Sequence, residues 1–385
     1  MAKNINSEEY DAGTLVKLEV LSKFTTEWLY VILNQSYVDK FYLYDFFAGS
    51  GHDTNGHEGS PLIMLKRLTD NCNKMRAAGQ IVELIVNDNM PSKIKILKTK
   101  CEEHISKCAE KNNCPYHKNL CPCSVSIRYE SRDFKDLFSQ EYDHLISEKN
   151  PFSLMFIDQY GIKEVDGPVF ERLSRLKRAD IIFFTATGHA WRFSEHEDFQ
   201  KYINFNKIPF SGKDYDQSHR QLRDYYASMI PHGVEYYLAP FTIRKEDSGM
   251  ICGLIFGASN LYGLEKFLTA VWSIDPKTGE ANFDIDDDRI KKNEPSLFIE
   301  HDRPKKMDRY KNNLKEYLHS WRTNTEVYIF TLINGFLPTH ATKILVSLEN
   351  EQNTRLKTVS IDGSKARKGA YYINKNGERI RIAYE

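Results

Sequence analysis

The chain has 385 residues, of which 41% are hydrophobic and 28% charged, and its 53 basic side chains balance its 53 acidic ones. This is the composition of a soluble globular protein with room for one large α/β domain and a smaller companion. No apolar run approaches the roughly 18 residues of a membrane span, and the polar start Met1-Ala2-Lys3-Asn4-Ile5-Asn6-Ser7-Glu8 has no apolar signal core, so a cytoplasmic address and no membrane partner are expected.

Apolar residues at helical spacing from Thr14 through Trp28 to Leu33 predict an amphipathic helix over 14–35. Phe41-Tyr42-Leu43-Tyr44-Asp45-Phe46-Phe47 reads as a short buried strand that runs into a glycine turn. Ser60-Pro61, followed by Leu62, Ile63, Leu65 and Leu68, predicts a helix with Ser60 as its cap and proline at its first position. Further strands are predicted at Ile81–Asp88, Ser124–Tyr129, Pro151–Asp158 and Ala179–Thr185, with helical patterns between them. That alternation defines a doubly wound, mostly parallel sheet. Residues 190–232 are polar and aromatic and predict a helical insert over the strand ends; Glu235–Arg244 and Met250–Gly257 predict two closing strands, and Leu261–Trp272 a helix.

From about residue 273 the texture changes, with an acidic run at Asp284–Asp288 and a polar, proline-containing linker to Lys306. Helical patterns over 310–347 and two strand-like runs, Arg355–Val359 and Ala370–Ile373, around a turn at Asp362–Lys365 predict a winged-helix-like domain. The domains are therefore read as 1–300, with a Cys-rich insert at 101–123 and the helical insert at 190–232, and 301–385. The second carries 16 Lys and Arg against 9 Asp and Glu, a net charge of +7, which leaves the first 300 residues at −7. A basic tail on an acidic body points to an anionic partner such as nucleic acid, or to a solvated basic surface. Lys357, Lys365, Arg367, Lys368, Lys375, Arg379 and Arg381, with Tyr371 and Tyr372, are the candidate contacts for a phosphate backbone.

In an open α/β sheet a ligand binds at the carboxyl ends of the strands, where the order reverses. Gly49 and Gly51 would let the backbone approach it closely. Residue 54 is Thr rather than the third glycine of a dinucleotide fingerprint. Asp45-Phe46-Phe47-Ala48-Gly49-Ser50-Gly51 has instead the form of an S-adenosylmethionine (SAM) turn, with Asp45, Phe47, Gly49 and Gly51 as cofactor-binding candidates. Asp88, ending the second strand, is placed to accept ribose hydroxyls, and Asp133, after the third, either meets the adenine amine or caps the next helix. The fold expected from these features is a Rossmann-like, class I SAM methyltransferase sheet with helical insertions and a C-terminal winged-helix-like domain.

Asp158-Gln159-Tyr160-Gly161 ends the fourth strand, where amino-group methyltransferases carry Asp or Asn, two prolines and an aromatic. Asp158 and Tyr160 fit the first and last roles, accepting the target amine's hydrogens and stacking on a flipped base, and are the candidate catalytic residues. The prolines are missing. His52, Asp53, His57 and Glu58 crowd the loop after the glycines, as metal or proton-transfer groups or as solvated loop polars. His189 and Trp191 follow the fifth strand and either line the substrate side or pack. Cys108, Cys114, His117, Cys121 and Cys123 supply five soft ligands within 16 positions. Tetrahedral zinc takes four, and such a closed site would be structural; thiols in a helical hairpin are the alternative.

Together these segments resemble the three-Cys-motif partner family (TcmP). Four features carry the resemblance: Lys17-Leu18-Glu19-Val20-Leu21; the glycine turn with Gly59-Ser60-Pro61-Leu62; Phe156-Ile157-Asp158-Gln159-Tyr160-Gly161; and Ile255-Phe256-Gly257 leading to the Gly263 helix and Trp272. It spans most of residues 14–300, departs from the family's Asp-Pro-aromatic-Gly at Gln159, and does not account for the Cys-rich insert. The resemblance implies a methyltransferase-like protein that works beside a radical-SAM-like partner bearing the three cysteines. The reading reached is a SAM-dependent methyltransferase-like enzyme acting on nucleic acid or in its modification or defence. The alternative is a non-methylating DNA-binding or nuclease-related module that retains the fold.

Overall fold

The computed structural model describes residues 9–111, 125–148, 151–204, 208, 215–289, 304–364 and 366–385. The chain divides into two compact units, Met1–Ala270 and Val271–Glu385.

The first unit opens with α1 (Ala12–Leu33), capped by Asp11, whose carboxylate accepts the Thr14 N–H at 2.6 Å. Its face of Leu18, Leu21, Phe24, Trp28 and Ile32 is buried, as the helical spacing predicts. Then follow β1 (Lys40–Asp45), α2 (Ser60–Asp70), α3 (Cys72–Ala77), β2 (Ile81–Asn87), α4 (Pro91–Lys111), β3 (Val125–Glu130), α5 (Phe134–Ser147), β4 (Phe152–Ile157), α6 (Gly167–Arg175), β5 (Ala179–Thr185), α7 (Thr187–Arg192), α8 (Glu197–Gln200), α9 (Ser218–Ser228), β6 (Tyr237–Arg244), β7 (Ile251–Ala258) and α10 (Leu261–Ile274). The helix expected at Ser60 does start there, but its cap is Gly59, and Ser60 is already helical. The helices α7, α8 and α9 fall within or beside the expected insert at 190–232, parts of which lie outside the described residues.

The seven strands form one sheet in the order β3-β2-β1-β4-β5-β7-β6. All run parallel except β7, which is antiparallel to both β5 and β6. The fold is thus mixed α/β with a mostly parallel sheet. Central strands buried on both faces explain why β1, β4 and β7 read as unbroken apolar runs rather than alternating ones. One face is rich in aromatic rings: Tyr44 stacks on Phe46 with ring centres 5.5 Å apart, and Phe46 meets Phe134 edge-on at 5.3 Å. The strand tyrosines keep their hydroxyls satisfied by acids of α5 and its C-cap, Tyr42 donating to Glu148 at 2.6 Å and Tyr44 to Glu141 at 3.1 Å. Arg128 on β3 closes that network with two bonds to Glu141, at 2.9 and 2.8 Å. On the other face Phe24 of α1 packs edge-on against Phe256 and Phe267.

The second unit contains α11 (Lys305–Tyr317), β8 (Arg322–Thr323), α12 (Asn324–Ile333), α13 (Pro338–Glu349), β9 (Leu356–Ser360) and β10 (Ile380–Tyr384), with the strands ordered β8-β10-β9, all antiparallel. Thr323 and Glu326 form a reciprocal capping box at the start of α12. The axes of α12 and α13 turn by 119° through a short connection in which Gly335 has φ 78°, the geometry of a helix-turn-helix. The second strand of the wing is not the predicted Ala370–Ile373 but Ile380–Tyr384. Tyr371 and Ile373 are buried without joining a strand, because the Tyr371 hydroxyl bonds the carbonyl of Leu345 and the carboxylate of Glu349, and the Asn324 side chain takes the carbonyl of Tyr372. An apolar run that packs as a loop reads in sequence like a strand. Among the described residues no single helix is long and apolar enough to cross a membrane.

Candidate active site

Strand order reverses between β1 and β4, which lie side by side with Asp45 opposite Phe156. The crevice beyond their carboxyl ends is where an open α/β sheet takes its ligand. Asp45 closes β1, Asp88 follows β2 and Asp158 follows β4, so the three acids named from the sequence share one edge of the sheet.

The turn after β1 depends on its glycines. Gly49 and Gly51 have φ of 61° and 90°, the left-handed region that side chains resist. At Gly51 a Cβ would also lie 2.8 Å from the Leu97 side chain. The loop closes where Gly59 N–H donates to Gly51 O at 2.7 Å, and Gly59 is small because a Cβ there would lie 2.9 Å from the Tyr10 hydroxyl. Phe47 is half-buried against Phe134.

Asp45 is buried. Its Oδ1 accepts the Phe47 N–H at 3.2 Å, while Oδ2 has no hydrogen-bond partner among the described residues. Burial raises its pKa to about 7; the neighbouring Asp158 adds to the rise, against the Ser60 hydroxyl and Lys17. Asp88 Oδ1 accepts the Met90 N–H at 2.9 Å and Oδ2 lies 3.4 Å from Lys93 Nζ. Asp133 caps α5, accepting the Lys135 N–H at 2.9 Å, the helix-capping alternative for this residue. Asp158 Oδ2 is bonded and ion-paired by Lys17, whose ammonium also lies 5.0 Å from the centre of the Phe184 ring. Tyr160 is 69% exposed at the mouth. Gln159 points inward instead, its Nε2 donating to Phe184 O at 2.9 Å and its Oε1 accepting Glu164 and Val165 N–H at 2.8 and 3.1 Å.

The polar loop residues have structural partners. Asp53 is the hub: Oδ1 accepts Asn55 and His57 N–H at 3.0 and 2.8 Å, and Oδ2 takes Tyr10 N–H at 3.0 Å and His57 Nδ1 at 2.8 Å. Those hydrogen bonds hold its carboxyl well below the usual range despite burial. His52 and Glu58 pair as a β-bridge across the same loop. His189 and Trp191 sit in α7, where Trp191 meets Tyr215 edge-on at 5.6 Å. Beneath them His219, which the sequence reading passed over, is fully buried. Its Nε2 donates to Leu254 O at 3.0 Å, so Nδ1 is left to accept from the Thr187 hydroxyl at 2.8 Å.

Two further residues of the crevice were missed. Tyr10 has its hydroxyl pushed above the ordinary value by burial first and then by the charges of Asp53, Asp158 and Asp45, which places all three acids around it. Lys17 appeared only as part of an apolar helix motif; a lysine on the buried stripe of α1 was the signal available. Of the five proposed metal ligands, Cys108 lies near the end of α4, and Cys114, His117, Cys121 and Cys123 fall outside the described residues. Among the described residues no group of three or more His, Cys, Asp and Glu could hold a metal ion.

In the second unit Arg379 stacks over the Tyr372 ring at 5.2 Å, Lys357 pairs with Glu385, and Lys365 lies outside the described residues. A protein-family model described as a GMT-like wHTH (winged helix-turn-helix) domain matches residues 283–355. No curated protein matches the chain. The C-terminal unit therefore contains a winged helix-turn-helix-like module, of a kind that suggests DNA binding in association with a methyltransferase.

Proposed function

We propose that the first unit is a Rossmann-like, class I SAM-dependent methyltransferase-like enzyme that acts on nucleic acid, and that the winged unit contacts the nucleic acid backbone. The observation that carries the reading is the crevice between β1 and β4: a left-handed glycine turn, with acids at the ends of β1, β2 and β4 on the same edge. The reversed β7 lying between β5 and β6, and the winged-helix match, support it. Resemblance to the three-Cys-motif partner family is the ground for a radical-SAM-like partner.

The residues fit the cofactor. The buried, unpartnered Asp45 Oδ2 is an acceptor suited to an ammonium, and Asp88 retains lone pairs for ribose hydroxyls. When bound, SAM supplies an electrophilic methyl group on a sulfonium. Asp158 would hold the acceptor amine through its hydrogens, and the exposed Tyr160 ring would offer a face to an unstacked base. Gln159 replaces proline here and fixes the loop with its side-chain amide.

The test is calorimetric titration with SAM: binding is expected, and none at millimolar ligand would overturn the reading. A second reading, a non-methylating nucleic-acid-binding or nuclease-related module that keeps the fold, is favoured by one observation, that Asp158 is already held by Lys17. Methyl transfer to DNA or RNA that is lost in Asp158→Ala would exclude it.

A further inference from the structure

Lys17 reaches from α1 into the crevice, and its side chain is 11% exposed against 22% for that of Asp158. The Phe184 ring covers the ammonium on another side. A cation so desolvated does not exchange an anionic partner for water without a large penalty; it exchanges readily only for another anion. Beside it lies Asp45, close enough for Lys17 to lower its pKa, with one carboxylate oxygen unpartnered. The crevice therefore offers a buried carboxyl group with one oxygen unpartnered, and one cation whose partner is replaceable, groups suited to the two ends of a zwitterion.

Strand order says which end of a ligand arrives there. The strands β2, β1 and β4 are consecutive neighbours, spaced about 4.8 Å apart. A nucleoside whose ribose is held by Asp88 at β2, and whose substituent passes the glycine turn of β1, brings that substituent to β4 after about 10 Å. In SAM the substituent ends in an α-amino acid, one ammonium and one carboxylate.

Resting on the methyltransferase reading above, we propose that Lys17 holds the carboxylate of the cofactor's amino-acid end, and that it pairs with Asp158 only until the cofactor arrives. Cofactor binding replaces one carboxylate by another on the same ammonium. Asp158 is thereby released to accept the hydrogens of the acceptor amine. Loading is ordered by this exchange, since the group that receives the acceptor is masked while the cofactor is absent.

The test compares S-adenosylhomocysteine with 5′-methylthioadenosine, which keeps the nucleoside and thioether but lacks the amino acid, by calorimetric titration of the full chain. Lys17→Met is expected to weaken S-adenosylhomocysteine about tenfold or more and to leave methylthioadenosine within about twofold. Asp158→Asn, which removes the competing carboxylate, should tighten S-adenosylhomocysteine roughly threefold to tenfold with no change for methylthioadenosine. In the double variant that gain should vanish. Equal losses for both ligands in Lys17→Met, or unchanged S-adenosylhomocysteine affinity in Asp158→Asn, overturn the proposal. If Lys17→Met fails to fold, judged by its thermal melt, the Asp158→Asn comparison decides alone. A wild-type chain that binds neither ligand overturns the methyltransferase reading, and this proposal with it. A chain that binds both ligands, with a preference that neither substitution changes, overturns only the role of Lys17.

Discussion

Gln159 donates its side-chain amide to the main-chain oxygen of Phe184 at 2.9 Å, which ties the loop after β4 to the carboxyl end of β5. The same side chain accepts two backbone N–H groups of the loop, those of Glu164 and Val165. Gln159→Ala leaves three backbone groups without partners, and the expected loss is about 2–3 kcal/mol of unfolding free energy. Urea denaturation measures it; an unchanged midpoint would mean that water replaces the amide without cost.

Asp45 makes stability depend on pH with an unusual sign. Its folded pKa of about 7 lies above the ordinary carboxyl value of 3.8, so the folded state keeps the proton through a range in which the unfolded chain has lost it. The associated stability is full below about pH 4 and is lost as pH rises from there through about 7. Asp45→Asn should therefore melt higher than wild type at pH 8, by several degrees, and show little difference at pH 4. Equal melting differences at both pH values would contradict the assignment. Asp53 has the opposite sign, its depressed pKa stabilising the loop above the ordinary carboxylate range and failing only in strong acid.

Gly253 lies on β7 where a Cβ would sit 2.4 Å from Phe241 O and 2.5 Å from His219 Nε2. Both neighbours are fixed, one in the sheet and the other bonded to Leu254. Gly253→Ala should cost about 3 kcal/mol, read as a fall in thermal midpoint, with His219→Ala in the same background recovering part of the loss.

The winged unit should bind duplex DNA with a salt dependence set by its cations. Replacing Arg379 and Lys368 by alanine should each reduce the slope of log affinity against log salt by about one. A slope unmoved by both variants would remove the wing from the interface.

Zinc, proposed on Cys108, Cys114, His117, Cys121 and Cys123, is checked by metal analysis of the purified chain. About one equivalent is expected, and less than about 0.2 would contradict a structural site.

Much of the sheet was legible in the sequence, because strands buried on both faces announce themselves as apolar runs bounded by turns. Five of the seven strands of the first unit lie within one residue of the expected run at both ends; β1 ends two residues early and β6 starts two residues late. The position of β7 between β5 and β6 was not legible, since pairing order has no local signature. Asp45, Asp88 and Asp158 could be placed because a strand-end acid sits at a fixed point of a parallel sheet. Lys17 and Tyr10 could not: each comes from α1 or the segment just before it, and only the folded chain brings them against residues far along in sequence. The wing failed for a different reason, in that Tyr371 and Ile373 are apolar in order to fill a core, not to make a strand.

The pairing of Phe41 with Phe152 has a consequence for how the molecule is made. Each of β1–β2, β2–β3 and β4–β5 joins neighbours in the chain, and β6–β7 is a hairpin, so these units can form from local contacts. Joining β1 to β4 closes by far the longest loop among them, and long closures are slow. Three sub-sheets, β1–β2–β3, β4–β5 and β6–β7, are expected to form early and dock late, since β5 and β7 are also far apart in the chain. The crevice, formed only at the β1–β4 seam, would be the last part of the first unit to exist, and a partly folded chain would present neither half of it.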